Sequence, residues 1–167
     1  MTTPHFELLH EGVNTTDFNC GELELNHFLV NFALLFQKRH FGVTVLCFAD
    51  STQKILVGFY TLCPASVQRD LLSDTHFSGP RPNPIPGFRL CRLAVDKRFQ
   101  AKGFGSLLFI HALKKCLDQS RQIGGSVVII DAKHEMAKRF YERFGFVSLK
   151  NSPLTLMQTI KYIEKHF

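Results

Sequence analysis

Between Asn19 and His40, apolar side chains recur at Leu25, Phe28, Leu29, Phe32, Leu35 and Phe36, the spacing of one face of an amphipathic helix. Asn19 or a neighbour would cap that helix, with Glu22 placed as in a capping box. Upstream, Phe6–Leu9 reads as a short strand. Downstream, Val43–Ala49 and Ile55–Cys63 are rich in β-branched and aromatic residues, and the polar DSTQK between them predicts a hairpin. The pattern then weakens. Ser73–Gly87 carries Pro80, Pro82, Pro84 and Pro86 and reads as a long loop, a feature often functional inside a compact domain.

The second half alternates. A strand at Phe88–Val95, a helix at Gly103–Asp118, a strand at Ser126–Asp131 and a helix at Glu135–Phe144 are followed by strands at Phe146–Ser148 and Thr155–Ile163. A β-α-β-α order predicts neighbouring parallel strands with a ligand crevice at their carboxyl ends. The expected fold class is α/β (α+β), a mixed sheet flanked by helices, with no internal repeat or low-complexity segment.

Composition narrows the class. At 167 residues the chain is expected to form one domain, 1–167, with a real core. Its 45% hydrophobic and 12% aromatic content excludes a disordered chain. No apolar run reaches the roughly 18–20 residues that span a bilayer. The start, MTTPHFELLHEG, lacks the basic and apolar regions of a signal peptide. A cytoplasmic protein, not membrane-bound, is the expectation. Cys20, Cys47, Cys63, Cys91 and Cys116 are widely spaced without a C-x-x-C pair. They show neither a disulfide framework nor a zinc site, and read as small buried apolar residues in a reducing compartment. No metal is expected. The net charge of +6 favours polyanionic partners, but gains weight only beside a phosphate-binding feature.

Gln100–Ser106, QAKGFGS, is such a candidate. It joins a strand to a helix start, where backbone N–H groups lack helical acceptors and the helix dipole favours an anion. Glycine lets a phosphate approach bare backbone. A Walker loop would need Lys-Ser/Thr after its last glycine, but Ser106 and Leu107 follow Gly105. A dinucleotide fingerprint would need a third glycine where Leu108 stands. A simple tight strand–helix turn is the other reading.

The pattern Q/R-x-x-G-x-G/A fits Gln100-Ala101-Lys102-Gly103-Phe104-Gly105, and resembles the acetyl-coenzyme A signature of the GNAT superfamily of N-acetyltransferases. Members of that superfamily usually carry Asn-x-x-Ala-x-x-x-Tyr-x-x-x-Gly-Phe on and after the next helix. His134, Ala137, Tyr141, Gly145 and Phe146 match it except at His134, which stands in place of Asn. FNCGELELNHFL, VGFYTL, CRLAVDKRFQAKGFGSLL, DAKHEMAKRFYERFGF and PLTLMQTI extend the resemblance to the acetyltransferase toxins of bacterial toxin–antitoxin operons, over Phe6 to about Ile160.

The resemblance implies a GNAT fold of about six to seven strands, with a V-shaped split between strands 88–95 and 126–131. It implies acetyl-CoA as co-substrate, the α-amine of an aminoacyl-tRNA as acceptor, translation block as outcome, a ribbon-helix-helix antitoxin and a homodimer. A GNAT that acetylates a protein or small amine, and a non-catalytic CoA-bound binding module, are the alternatives.

Roles follow from the resemblance. The backbone of Leu93, Ala94 and Val95 would pair with the pantetheine arm, and that of Gln100, Ala101, Lys102, Gly103, Phe104, Gly105 and Ser106 would cradle the pyrophosphate. Lys97, Arg98 and Lys102 would add charge there, or form a solvated basic turn. His134, Ala137 and Phe140 complete the coenzyme set. Tyr141 would be the acid toward the departing thiolate, and Arg92 would orient substrate or contact the tRNA 3′ end. Arg139 and Arg143, flanking Tyr141, would contact tRNA. No general base is evident. An α-amine, titrating near 8, needs less help than a lysine near 10.4. Cys91 would serve only a covalent route that GNAT enzymes do not use.

Overall fold

A computed structural model describes residues 3–52, 54–73, 76–77 and 79–167. Gln53 of the hairpin loop and Asp74, Thr75 and Ser78 of the proline-rich stretch lie outside the described residues, as do Met1 and Thr2. The strands are β1 (His5–Leu8), β2 (Val43–Phe48), β3 (Leu56–Val67), β4 (Ile85–Val95), β5 (Val127–Asp131), β6 (Val147–Leu149) and β7 (Ser152–Thr159). They form one sheet in the order β1-β2-β3-β4-β5-β7-β6. β4 and β5 are parallel, as the β-α-β-α pattern predicts, and β1/β2, β2/β3, β5/β7 and β6/β7 are antiparallel. The helices are α1 (Leu23–His27), α2 (Ala33–Lys38), α3 (Phe104–Ile123), α4 (Glu135–Glu142) and α5 (Ile160–His166). This is the mixed α/β architecture of a GNAT fold.

Contacts divide the chain into two compact units, Met1–Cys63 with Cys91–Ala112 and Pro64–Leu90 with Leu113–Phe167. In the first, Phe28, Leu29 and Ala33 bury against Leu46, Phe48, Phe59 and Ala94. Burying each large apolar side chain contributes about 1.5–3 kcal/mol. The expected single helix is interrupted here. A π-helical turn, Phe28–Phe32, separates α1 from α2, and the Ala33 N–H reaches back five residues to the Phe28 carbonyl. The extra residue rotates everything after it, so Ala33 is buried whereas Phe32 and Leu35, expected on the buried face, are 49% and 45% exposed. The cap also differs. Glu22 is itself the N-cap residue and makes no side-chain cap bond. The Asn19 carbonyl oxygen accepts instead from the Gly21 N–H and the Asn26 amide, tightening the preceding turn. Gln37 then ties α2 to the sheet, donating to the Leu9 carbonyl at 2.8 Å and accepting from the Thr44 N–H at 2.9 Å.

In the second unit, Val67, Leu72, Ile85, Val127, Ile129, Leu149 and Met157 form the core. β4 starts earlier than the proline pattern suggests. Pro86 lies within it and needs only its carbonyl, which accepts the Ser126 N–H at 2.8 Å. β4 and β5 pair from Gly87↔Val127 to Leu90↔Ile130, and β4 runs on to Val95 beyond the last pair. The strand expected at Thr155–Ile163 ends at Thr159, whose hydroxyl accepts from the Tyr162 N–H and caps α5. A threonine cap of this kind outweighs the β-propensity of Ile160, Tyr162 and Ile163.

Candidate active site

The first unit supplies the end of β4, a short turn and the start of α3. After Val95 the chain enters a one-turn 3-10 helix, Lys97–Phe99, capped by Asp96, whose carboxylate accepts the Arg98 N–H. Asp96 is 2% exposed. Its oxygens take the Arg98 guanidinium in a two-pronged bridge at 2.8 and 3.1 Å, and the Asn19 N–H at 3.0 Å. Burial alone would raise this carboxyl, but the hydrogen bonds from Arg98 and Asn19 outweigh it and hold the group below the usual carboxylate range.

The sign of the linkage follows. The folded value is depressed, so the stabilisation is complete above the ordinary value near 3.9 and is lost as pH falls through the lower folded one. Asp96→Asn is expected to cost about 1–3 kcal/mol at pH 7 and to flatten the acid limb of stability against pH. Urea unfolding at pH 3 to 7 measures both. A variant with wild-type stability at pH 7 would remove Asp96 from this role.

Gln100 braces the loop from its far side, its amide donating to the carbonyls of Cys20 at 2.8 Å and Val95 at 2.9 Å. The backbone then turns left-handed at Ala101 (φ 58°) and Gly103 (φ 85°). The first α-helical bond printed by the chain runs from the Leu107 N–H to the Gly103 carbonyl at 3.1 Å. Helix geometry therefore leaves the N–H groups of Phe104, Gly105 and Ser106 without acceptors inside α3. No heavy atom lies within 4 Å of where a Cβ on Gly103 would stand. An open space lined by helix-start N–H groups fits a pyrophosphate. The neighbouring cations are partly committed: Arg98 to Asp96, and Lys102 through its ammonium to the Arg98 carbonyl at 2.8 Å. Lys97 is exposed. Arg92 lies on β4 with its guanidinium 3.6 Å from the centre of the Phe28 ring, a cation–π contact.

The second unit supplies α4. His134 caps it, Nδ1 accepting the Ala137 N–H at 3.2 Å, which occupies one ring nitrogen in helix capping. Ala137 and Tyr141 are spaced i and i+4 on one face. Tyr141 is buried, and burial pushes its phenol up to about 12. Its ring meets Phe140 edge-on at 5.1 Å, and Phe140 tilts against Phe144 at 5.3 Å. Arg143 lies 5.1 Å over the Phe140 ring, and Arg139 is exposed. Gly145 ends the helix at φ 85°, where any Cβ would run into the Tyr162 hydroxyl. The Tyr-x-x-x-Gly-Phe pattern thus holds a buried phenol, a helix stop and a buried Phe146 together. Among the described residues, no group of three or more His, Cys, Asp or Glu side chains could hold a metal ion, and no helix is long and apolar enough to cross a membrane.

Sequence reasoning missed Asp96, Phe28 and the side-chain role of Gln100. The Asp before KRF was a readable turn cap; the other two depend on tertiary packing that carries no local signal.

A glycine-turned helix start following an extended strand, with a protonated tyrosine on the next α4, defines a GNAT-type acyltransferase. Residues 80–163 match the model of the acetyltransferase (GNAT) domain. The chain is 32% identical over 154 residues to a tRNA-acetylating toxin of Mycobacterium tuberculosis strain H37Rv, covering 89% of this chain and 87% of the relative. Among solved structures, the toxin AtaT complexed with acetyl-methionyl-tRNAfMet superposes with a TM-score of 0.89 at 26% identity, covering 98% of each chain. A tyrosine-to-phenylalanine mutant of AtaT, bound to the C-terminus of the antitoxin AtaR and acetyl-CoA, gives 0.80 at 25% identity, covering 97% and 96%. The chain belongs to the GNAT acetyltransferase family. It is an acetyl-CoA-dependent acetyltransferase that resembles tRNA-acetylating toxins.

Proposed function

We propose that the enzyme acetylates the α-amine of an aminoacyl-tRNA and so blocks translation, as a toxin restrained by a ribbon-helix-helix antitoxin. The observation that carries the acceptor is the near full-length similarity to a tRNA-acetylating toxin. The AtaT structures, one with an acetylated aminoacyl-tRNA and one with an antitoxin segment and acetyl-CoA, support the same partners. The net charge of +6 agrees with a polyanionic acceptor.

In this reading the N–H groups of Phe104, Gly105 and Ser106, with the left-handed turns at Ala101 and Gly103, hold the coenzyme pyrophosphate. The backbone of Leu93, Ala94 and Val95 holds its pantetheine arm, with Ala137 and Phe140 from α4. Bound acetyl-CoA supplies an activated acetyl thioester. Tyr141 keeps its proton throughout the neutral range and donates a hydrogen bond from its hydroxyl toward the leaving sulfur. Arg92, held by Phe28, orients the acceptor end, and Arg139 and Arg143 contact the tRNA backbone. The α-amine of the acceptor, near or below 8, is substantially neutral at physiological pH and needs no dedicated base.

Mass spectrometry of total charged tRNA, after incubation with the protein and labelled acetyl-CoA, tests the reading. One acetyl group on the amino acid of at least one tRNA is expected. Acetylation confined to added peptides or polyamines would reject the tRNA acceptor while leaving the acetyltransferase intact.

A further inference from the structure

The five cysteines do not share one environment. Cys47 and Cys116 are buried, and burial pushes each thiol up to about 12, as small apolar core residues should behave. Cys20 is half-buried, its sulfur 3.6 Å from the Glu22 carbonyl. Cys63 and Cys91 are different: both are half-buried, and their sulfurs lie 2.6 Å apart. The expectation that all five are isolated and buried fails here, because β3 and β4 are neighbours in the sheet and bring together residues 28 positions apart.

We propose that Cys63 and Cys91 form a reversible oxidation site, closed to a disulfide by hydroperoxides. Proximity is the first support. A disulfide needs its sulfurs at about 2.05 Å, so closure from 2.6 Å asks for little backbone movement. Access is the second: partial exposure lets a small oxidant reach the pair, unlike Cys47 and Cys116. Position is the third. Cys63 is the last residue of the first unit before the chain leaves it, and Cys91 is the first on its return. A bond between them covalently closes the whole excursion Pro64–Leu90. It also anchors β4 at the residue before Arg92.

The chemistry balances. One thiolate attacks a peroxide oxygen, the O–O bond breaks, and a sulfenic acid and water or an alcohol form. The second thiolate attacks that sulfur, the S–S bond forms, the S–O bond breaks, and hydroxide leaves and takes up a proton. The two sulfurs lose two electrons in all, which reduce the peroxide. A small thiol reverses the step by exchange, so the bond is transient in a reducing compartment.

The test uses the full-length protein treated with hydrogen peroxide, then alkylated with N-ethylmaleimide and mapped by mass spectrometry. A linked peptide joining Cys63 to Cys91 is expected, lost on addition of dithiothreitol, with Cys47 and Cys116 alkylated only after denaturation. The oxidised protein is expected to melt about 5–10 °C above the reduced one, because the bond restricts the unfolded chain. In Cys63→Ser the linked peptide and the melting shift both vanish, and Cys91 is trapped by dimedone as a sulfenic acid. Full alkylation of both Cys63 and Cys91 after peroxide, with the protein still folded by circular dichroism, overturns the proposal. A linked peptide joining either of them to Cys20 instead does the same. Wild-type mapping alone decides the matter should either serine variant fail to fold.

Discussion

Replacing Tyr141 with phenylalanine is expected to lower the turnover of acetyl transfer by about 10²–10³-fold, while the KM for acetyl-CoA changes by less than about threefold. Phenylalanine preserves the edge-on contact with Phe140 and removes only the hydroxyl. The size of the effect follows from what that hydroxyl does. With the phenol pushed up to about 12 and a thiol near 8.5, full proton transfer to the departing sulfur is uphill by roughly 5 kcal/mol. The phenol therefore acts by hydrogen bonding to charge as it develops, not by early proton donation. Because the folded value is raised, the donor stays protonated until pH approaches 12. Below that, the pH–rate profile should show only the rising limb of the acceptor amine. Steady-state kinetics from pH 6 to 9 measure both quantities. Turnover within threefold of wild type, or a limb that disappears with the hydroxyl, would refute the assignment.

Gly103→Glu should weaken acetyl-CoA binding by at least about 100-fold, some 2.7 kcal/mol, with the fold retained. Two effects add. At φ 85° a side chain strains the backbone, at a cost of roughly 1 kcal/mol or more. The carboxylate also enters the open space beside the N–H groups of Phe104 to Ser106, where it competes with and repels a phosphate. Gly103→Ala separates them, because it keeps the strain and omits the charge; most of the affinity should survive. Isothermal titration with acetyl-CoA, alongside circular dichroism, gives the answer. Wild-type affinity in the glutamate variant would show that the loop does not hold the coenzyme.

The site was legible where its function depends on backbone. Gly103, Gly105 and Gly145 have local conformational reasons to be glycine, and Tyr141 sits at a fixed helical spacing from Ala137. The strand–turn–helix around Gln100–Ser106 could be read because strand propensity, turn chemistry and apolar periodicity change together there. What escaped was decided by tertiary partners. Nothing local distinguishes a lysine near a phosphate from Lys102 bonded to the Arg98 carbonyl. Arg92 lies on Phe28 because residues far apart in sequence meet in one unit. The Cys63–Cys91 contact depends on how β3 and β4 align, and a one-residue shift would face them apart. The end of β7 was legible but overlooked: Thr159 three residues before Tyr162 is a helix cap signal.

The π turn has a consequence for how this chain tolerates change of length. An α-helix advances about 100° per residue, so deleting one residue within Phe28–Phe32 would restore regular winding and swing α2 by that angle. Ala33 would leave the core, Leu35 or Phe36 would crowd toward it, and Gln37 would lose its grip on Leu9 and Thr44. Any single side chain in the turn can be exchanged with local damage. The extra residue itself acts as a phase setting, which no substitution can restore once it is removed.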